Sequence, residues 1–102
     1  MKAGKEKREK VIFRQWIIGC EIIALFPEIA VDTIGYNCQS YMHHGQHGAA
    51  SPDIVIKDTK PAIIEDGACQ KLIKELTDLG YDLKIIKRFR YKHQEIRMAM
   101  YK

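Results

Sequence analysis

The chain has 102 residues, 46% of them hydrophobic and 29% charged, which is ordinary globular usage and enough for one modest core. The longest uncharged apolar stretch, residues 22–27, is too short to cross a bilayer, and the charged start is not followed by the unbroken apolar core of a signal peptide, so the chain reads as cytoplasmic with no membrane partner. The net charge of +4 is unevenly laid out: residues 1–14 carry six basic and two acidic side chains, residues 84–102 seven and one, and residues 15–83 four and ten.

Basic ends flanking an acidic middle point to a polyanion or an acidic protein surface as partner. Three cysteines, Cys20, Cys38 and Cys69, are an odd number at no metal-knuckle spacing. They read as reduced thiols packed as small apolar groups.

Residues 1–9 lack apolar periodicity and read as a mobile basic arm. From Lys10, Val11 and Phe13 alternate with Ile12, Arg14 and Trp16, and after Gly19 a second apolar run ends at Pro27. Two such runs joined by a short glycine-containing link predict a β-hairpin. Residues 27–35 hold Pro, Asp and Gly without a period and predict a loop.

A third strand is predicted over residues 36–43, with Tyr36, Cys38, Ser40 and Met42 on one face and Asn37, Gln39, Tyr41 and His43 on the other. Two glycines in residues 44–50 predict a loop, and Ser51-Pro52 then starts a short helix, with a strand over the β-branched run Ile54-Val55-Ile56 as the competing reading.

Ile63, Ile64, Ala68, Leu72, Ile73, Leu76 and Leu79 share one face at helical spacing and predict the main helix over residues 62–79, begun by Pro61, closed by Gly80 and interrupted by Gly67. Residues 81–89 read as a last strand. The expected fold is a single α+β domain over residues 10–89, a small, mostly antiparallel sheet of about four strands packed by one main amphipathic helix. Residues 90–102 are left as a basic tail, either helical or mobile.

Two segments carry candidate chemistry. His43, His44 and His47, with Cys38, place three imidazoles and a thiol within ten residues, the side chains that ligate zinc or act as base and nucleophile. The spacing fits no standard zinc motif, so the bland reading is a glycine-rich loop with structural histidines, and no metal or cofactor is assigned. The candidate loop comprises Tyr41, His43, His44, Gln46 and His47, with Cys38 or Ser40 as conceivable nucleophile.

The run Lys87-Arg88-Phe89-Arg90-Tyr91-Lys92-His93 interleaves cations with aromatic rings. Cations neutralise phosphates while rings stack on bases, which makes Lys87, Arg88, Arg90, Tyr91 and Lys92 candidate contacts to single-stranded nucleic acid. The alternative is an edge strand whose cations guard against aggregation. Trp16, Tyr41 and Met42 are a candidate anchor for a partner protein, or simply core.

The strings Lys10-Val11-Ile12-Phe13-Arg14, Ile23-Ala24-Leu25-Phe26-Pro27-Glu28-Ile29, Cys38-Gln39-Ser40-Tyr41-Met42-His43-His44-Gly45-Gln46-His47-Gly48-Ala49-Ala50, Thr59-Lys60-Pro61-Ala62 and Gly80-Tyr81-Asp82-Leu83-Lys84-Ile85-Ile86-Lys87-Arg88 resemble a family of small uncharacterised proteins of bacteria, their phages and mobile elements. The resemblance implies a compact stand-alone domain, with any site near the Ser40 to Gly48 string, and supplies no catalytic assignment. Small proteins from such sources include inhibitors of host defence such as anti-CRISPR proteins.

The favoured reading is a non-catalytic accessory binding protein, carried by a phage or mobile element, that contacts nucleic acid or a nucleic-acid–protein complex through its basic ends. One alternative is an inhibitor binding a host defence protein directly. The other is a small histidine-dependent or metal-dependent enzyme. Oligomeric state is left open.

Overall fold

A computed structural model describes residues 9–32, 35–42 and 46–99, and all side chains there except those of Gln46 and His47. The predicted hairpin is strand β1 (Glu9–Trp16) paired antiparallel with β2 (Ile22–Ala30), Ile12 opposite Leu25 and Arg14 opposite Ile23. Its turn uses Gly19 and Cys20, both at positive φ (92° and 62°). Cys20 therefore sits in a conformation that glycine adopts more easily.

β2 does not stop at Pro27, where a loop was expected. Its pairing with β3 (Cys38–Met42) shifts register between Phe26 and Ala30, and this irregularity accommodates a residue with no N–H to give to the ladder. β3 places Cys38, Ser40 and Met42 opposite in parity to Gln39 and Tyr41, the face assignment read from the sequence.

The glycine-rich segment is also strand rather than loop: β4 (Gln46–Ala50) pairs antiparallel with β3, Ala50 opposite Cys38 and Gly48 opposite Ser40. Helix α1 (Pro52–Asp58) follows, so the strand alternative for Ile54-Val55-Ile56 is overturned; proline in the first turn favours the helix and only Val55 of the run is buried.

Three short pieces complete the chain. β5 (Thr59–Pro61) pairs antiparallel with β1, Trp16 opposite Thr59, and the Ala62 N–H continues the ladder to the Phe13 carbonyl. The main helix α2 (Gly67–Asp78) therefore starts five residues later than its apolar pattern suggests, because residues 59–62 are held in the sheet. Gly80 (φ 106°) closes α2 as predicted, its N–H bonding to the Thr77 carbonyl and that of Tyr81 to the Leu76 carbonyl.

β6 (Leu83–Ile85) is shorter than the expected final strand, and it runs parallel to the first half of β1, Glu9 opposite Leu83, beside the edge that β5 pairs further on. The sheet order is β4-β3-β2-β1-β5, with β6 joining β1. The molecule is thus α+β with a mostly antiparallel sheet, as expected, but with six strands and three helices among the described residues.

Each sheet face is covered. On one, Val11, Phe13, Ala24, Phe26 and Tyr41 pack against Cys69, Leu72 and Leu76 of α2. On the other, Ile12, Ile23, Leu25, Cys38 and Ala50 pack against Val55 of α1, with Ile86 and Phe89 against the same cluster.

Helix α3 (Tyr91–Ala99) docks on β2. Residues 91–99 thus take the helical alternative left open for residues 90–102, and they pack against the sheet rather than standing free of it. The anchor is Arg97, 3% exposed, whose guanidinium donates to the carbonyls of Pro27 (2.6 Å), Gly35 (3.0 Å) and Tyr36 (3.4 Å). Gly35 has φ of 74°, and a Cβ there would lie 2.6 Å from the Met98 backbone nitrogen, so only glycine admits this approach. The expected arm over residues 1–9 lies, except for Glu9, outside the described residues.

Candidate functional site

The chain leaves β6 at Ile85 and enters α3 at Tyr91, and the segment between is held at two points. The Ile86 N–H bonds to the Val11 carbonyl at 2.9 Å, and Phe89 packs against the second core. With those two side chains turned inward, Lys87, Arg88 and Arg90 are left exposed.

The result is a cleft of about 1080 Å³ to which all five candidate contacts of the basic run, Lys87, Arg88, Arg90, Tyr91 and Lys92, contribute. Ile86, His93 and Ile96 line it as well, together with Lys10 of β1 and Glu28 of β2. Lys10 and Glu28 form an ion pair at 2.9 Å. Among the described residues, none of Lys87, Arg88, Arg90 and Lys92 engages in an ion pair, so four cations face the solvent of one cleft.

Tyr91, at the start of α3, is 78% exposed beside them. The first turn of α3 lines the same cleft and brings the positive end of the helix to it. The potential of this surface is therefore positive, and Tyr91 offers it an aromatic ring that packing does not consume.

Three polar contributors were not among the candidate contacts read from the sequence. Lys10 and Glu28 meet through the hairpin pairing of β1 and β2, and His93, 5% exposed, is drawn in by the docking of α3. The His93 Nδ1 accepts the Arg90 N–H at 2.9 Å, the bond that a Glu or Gln makes at the third helical position of a capping box. Histidine in place of Glu or Gln is why the pattern gave no helix-start signal. Its ring also meets Phe89 edge-on, centroids 6.5 Å apart.

The histidine loop fares differently. Tyr41 is not a loop residue: its ring is buried beneath α2 and its hydroxyl donates to Glu75 Oε1 at 2.9 Å. Gln46 and His47 lie on β4, opposite Met42 and Tyr41 in the ladder. His43 and His44 lie outside the described residues. Among the described residues no three His, Cys, Asp or Glu side chains gather closely enough to hold a metal ion.

Neither candidate nucleophile is placed to act. Cys38 is fully buried, and burial pushes its thiol up to about 11, with Arg97 pulling the other way, so the thiolate is scarce at neutral pH. The Ser40 hydroxyl is buried and donates to the Gly48 carbonyl at 2.9 Å. Of the two readings of Trp16, Tyr41 and Met42, the structure has the packing one, with Tyr41 within the first core and Trp16 and Met42 against the second.

No described helix is long and apolar enough to cross a membrane, which says nothing about strands. Comparison of the chain with protein-family models, with curated proteins and with solved structures finds no match.

Proposed function

We propose that the cleft between α3 and the β1-β2 hairpin is a contact for single-stranded nucleic acid, either free or within a nucleic-acid–protein complex. The observation that carries this reading is the convergence of four exposed cations and one exposed aromatic ring on a single cleft. Cations track the phosphates, and an unpaired base stacks on Tyr91; a duplex hides the faces of its bases and offers only phosphates. The reading is of a binding protein, not of an enzyme. Its assignment to a phage or mobile element rests on the resemblance of the motif strings.

Fluorescence anisotropy with a short oligouridylate and a matched duplex tests the reading. The single strand is expected to bind more tightly, and Tyr91→Ala to cost about 1–3 kcal/mol, roughly 5- to 150-fold in affinity. Equal affinity for both, unchanged in Tyr91→Ala, overturns the stacking role. A host protein retained from nuclease-treated lysate, with no oligonucleotide binding, replaces the reading with direct inhibition.

A further inference from the structure

His93 is the one buried titratable ring in the wall of the cleft, and it is engaged on the segment that carries the cations. Its Nδ1 accepts the backbone N–H of Arg90, while the backbone N–H of His93 donates to the Arg90 carbonyl at 2.9 Å. Arg90 is thereby tied at both backbone groups to the first turn of α3. With Nδ1 as acceptor, the neutral ring carries its proton on Nε2. An imidazolium has N–H at both positions and cannot accept that bond.

We propose that His93 is the positioning residue of the cleft: its neutral ring holds the Arg88 to Arg90 turn in the geometry that binds a single strand, and protonation of the ring releases that turn and weakens binding. This rests on the reading of the cleft as a nucleic-acid site.

Simple electrostatics has the opposite sign, since a further positive charge in a basic cleft strengthens its attraction for phosphates. The charged groups around the ring are Glu28 of β2, Lys10 of β1, and Arg90 and Arg97 at either end of α3. Burial pushes the imidazole below its usual value, opposed by Glu28 and aided by Lys10, Arg97 and Arg90. The folded state therefore holds fewer protons on this ring than the unfolded chain just below the usual value. The stabilisation from the cap is fully present above about pH 6.5 and is lost as pH falls through the lowered value.

The experiment is anisotropy of the full chain with a short oligouridylate, whose bases take no proton in this range, at about pH 7.5 and about pH 5 and constant ionic strength. Wild type is expected to lose affinity at the lower pH. His93→Gln keeps an acceptor at the third helical position without titrating; it is expected to retain more affinity at pH 7.5 than His93→Ala and to show a flat profile. His93→Ala is expected to bind weakly at both pH values.

Tighter or unchanged wild-type binding at pH 5 overturns the proposal. So does a pH-dependent loss that persists in His93→Gln, because His43, His44 and His47 are unchanged in that variant. No wild-type binding at pH 7.5 instead removes the cleft reading itself, and this proposal with it.

Discussion

The two faces of the sheet are held by different chemistry. Beneath α2 the contact is mainly apolar, with Cys69, Leu72 and Leu76 against Val11, Phe13, Ala24, Phe26 and Tyr41, and the Tyr41 hydroxyl bonded to Glu75. On the other face the helices are located by buried arginines: Arg97 donates to three carbonyls from residues 27–36, and Arg14 of β1 donates through Nε to Thr59 Oγ1 (2.8 Å) and through Nη2 to the carbonyls of Ile56 (3.3 Å) and Thr59 (2.9 Å) at the end of α1. Apolar burial is tolerant in direction, whereas a fork of donors fixes position. The face that carries the basic cleft is the one fixed by directional bonds.

Breaking the directional face should have the largest effect. Gly35→Ala puts a Cβ into the α3 backbone at a residue with positive φ, and is expected to cost about 4 kcal/mol or more by displacing α3. Hydrogen exchange checks this: α3 amides should lose protection while those of α2 keep more of theirs. Arg97→Met leaves the carbonyls of Pro27, Gly35 and Tyr36 without their donor, for an expected loss of about 3 kcal/mol in urea denaturation together with nucleic-acid affinity.

The apolar face offers the converse. Leu76→Ala opens a cavity under α2 and is expected to cost about 2–5 kcal/mol, read in the same denaturation. Where the variant remains folded, its affinity for oligouridylate at pH 7.5 should equal that of wild type, because α2 lies across the sheet from the cleft. The smallest effect belongs to the surface: Lys74→Ala removes an exposed pair with Asp78 and should change stability by less than about 0.5 kcal/mol.

The same contrast explains what the sequence revealed. α2 was visible because its buried face is apolar and its end is a glycine, although Ile63 and Ile64 extended the pattern into residues that only the pairing of β5 with β1 removes from the helix. α3 was left undecided between helix and mobile tail, because the two side chains it buries, His93 and Arg97, are polar and four apart, so hydropathy has no stripe to detect. β4, with Gln, His, Gly and two Ala, has no strand pattern and is held by its pairing with β3.

In the site, the basic run was legible by composition because its members are neighbours in sequence. Lys10 and Glu28 were not, since they reach the cleft only through strand pairing, and His93, though it ends the run, joins the wall only through the docking of α3. The histidine string drew attention through residue type alone, and Tyr41 within it serves the core.

The most direct test of the central claim, that the cations of this cleft engage nucleic-acid phosphates, is a salt series of oligouridylate affinity for wild type and for the triple variant Arg88→Gln, Arg90→Gln, Lys92→Gln. If the three cations each neutralise a phosphate, the slope of log affinity against log salt should become shallower by about 2, with weaker binding throughout. An unchanged slope would place the phosphate contacts elsewhere and contradict the account.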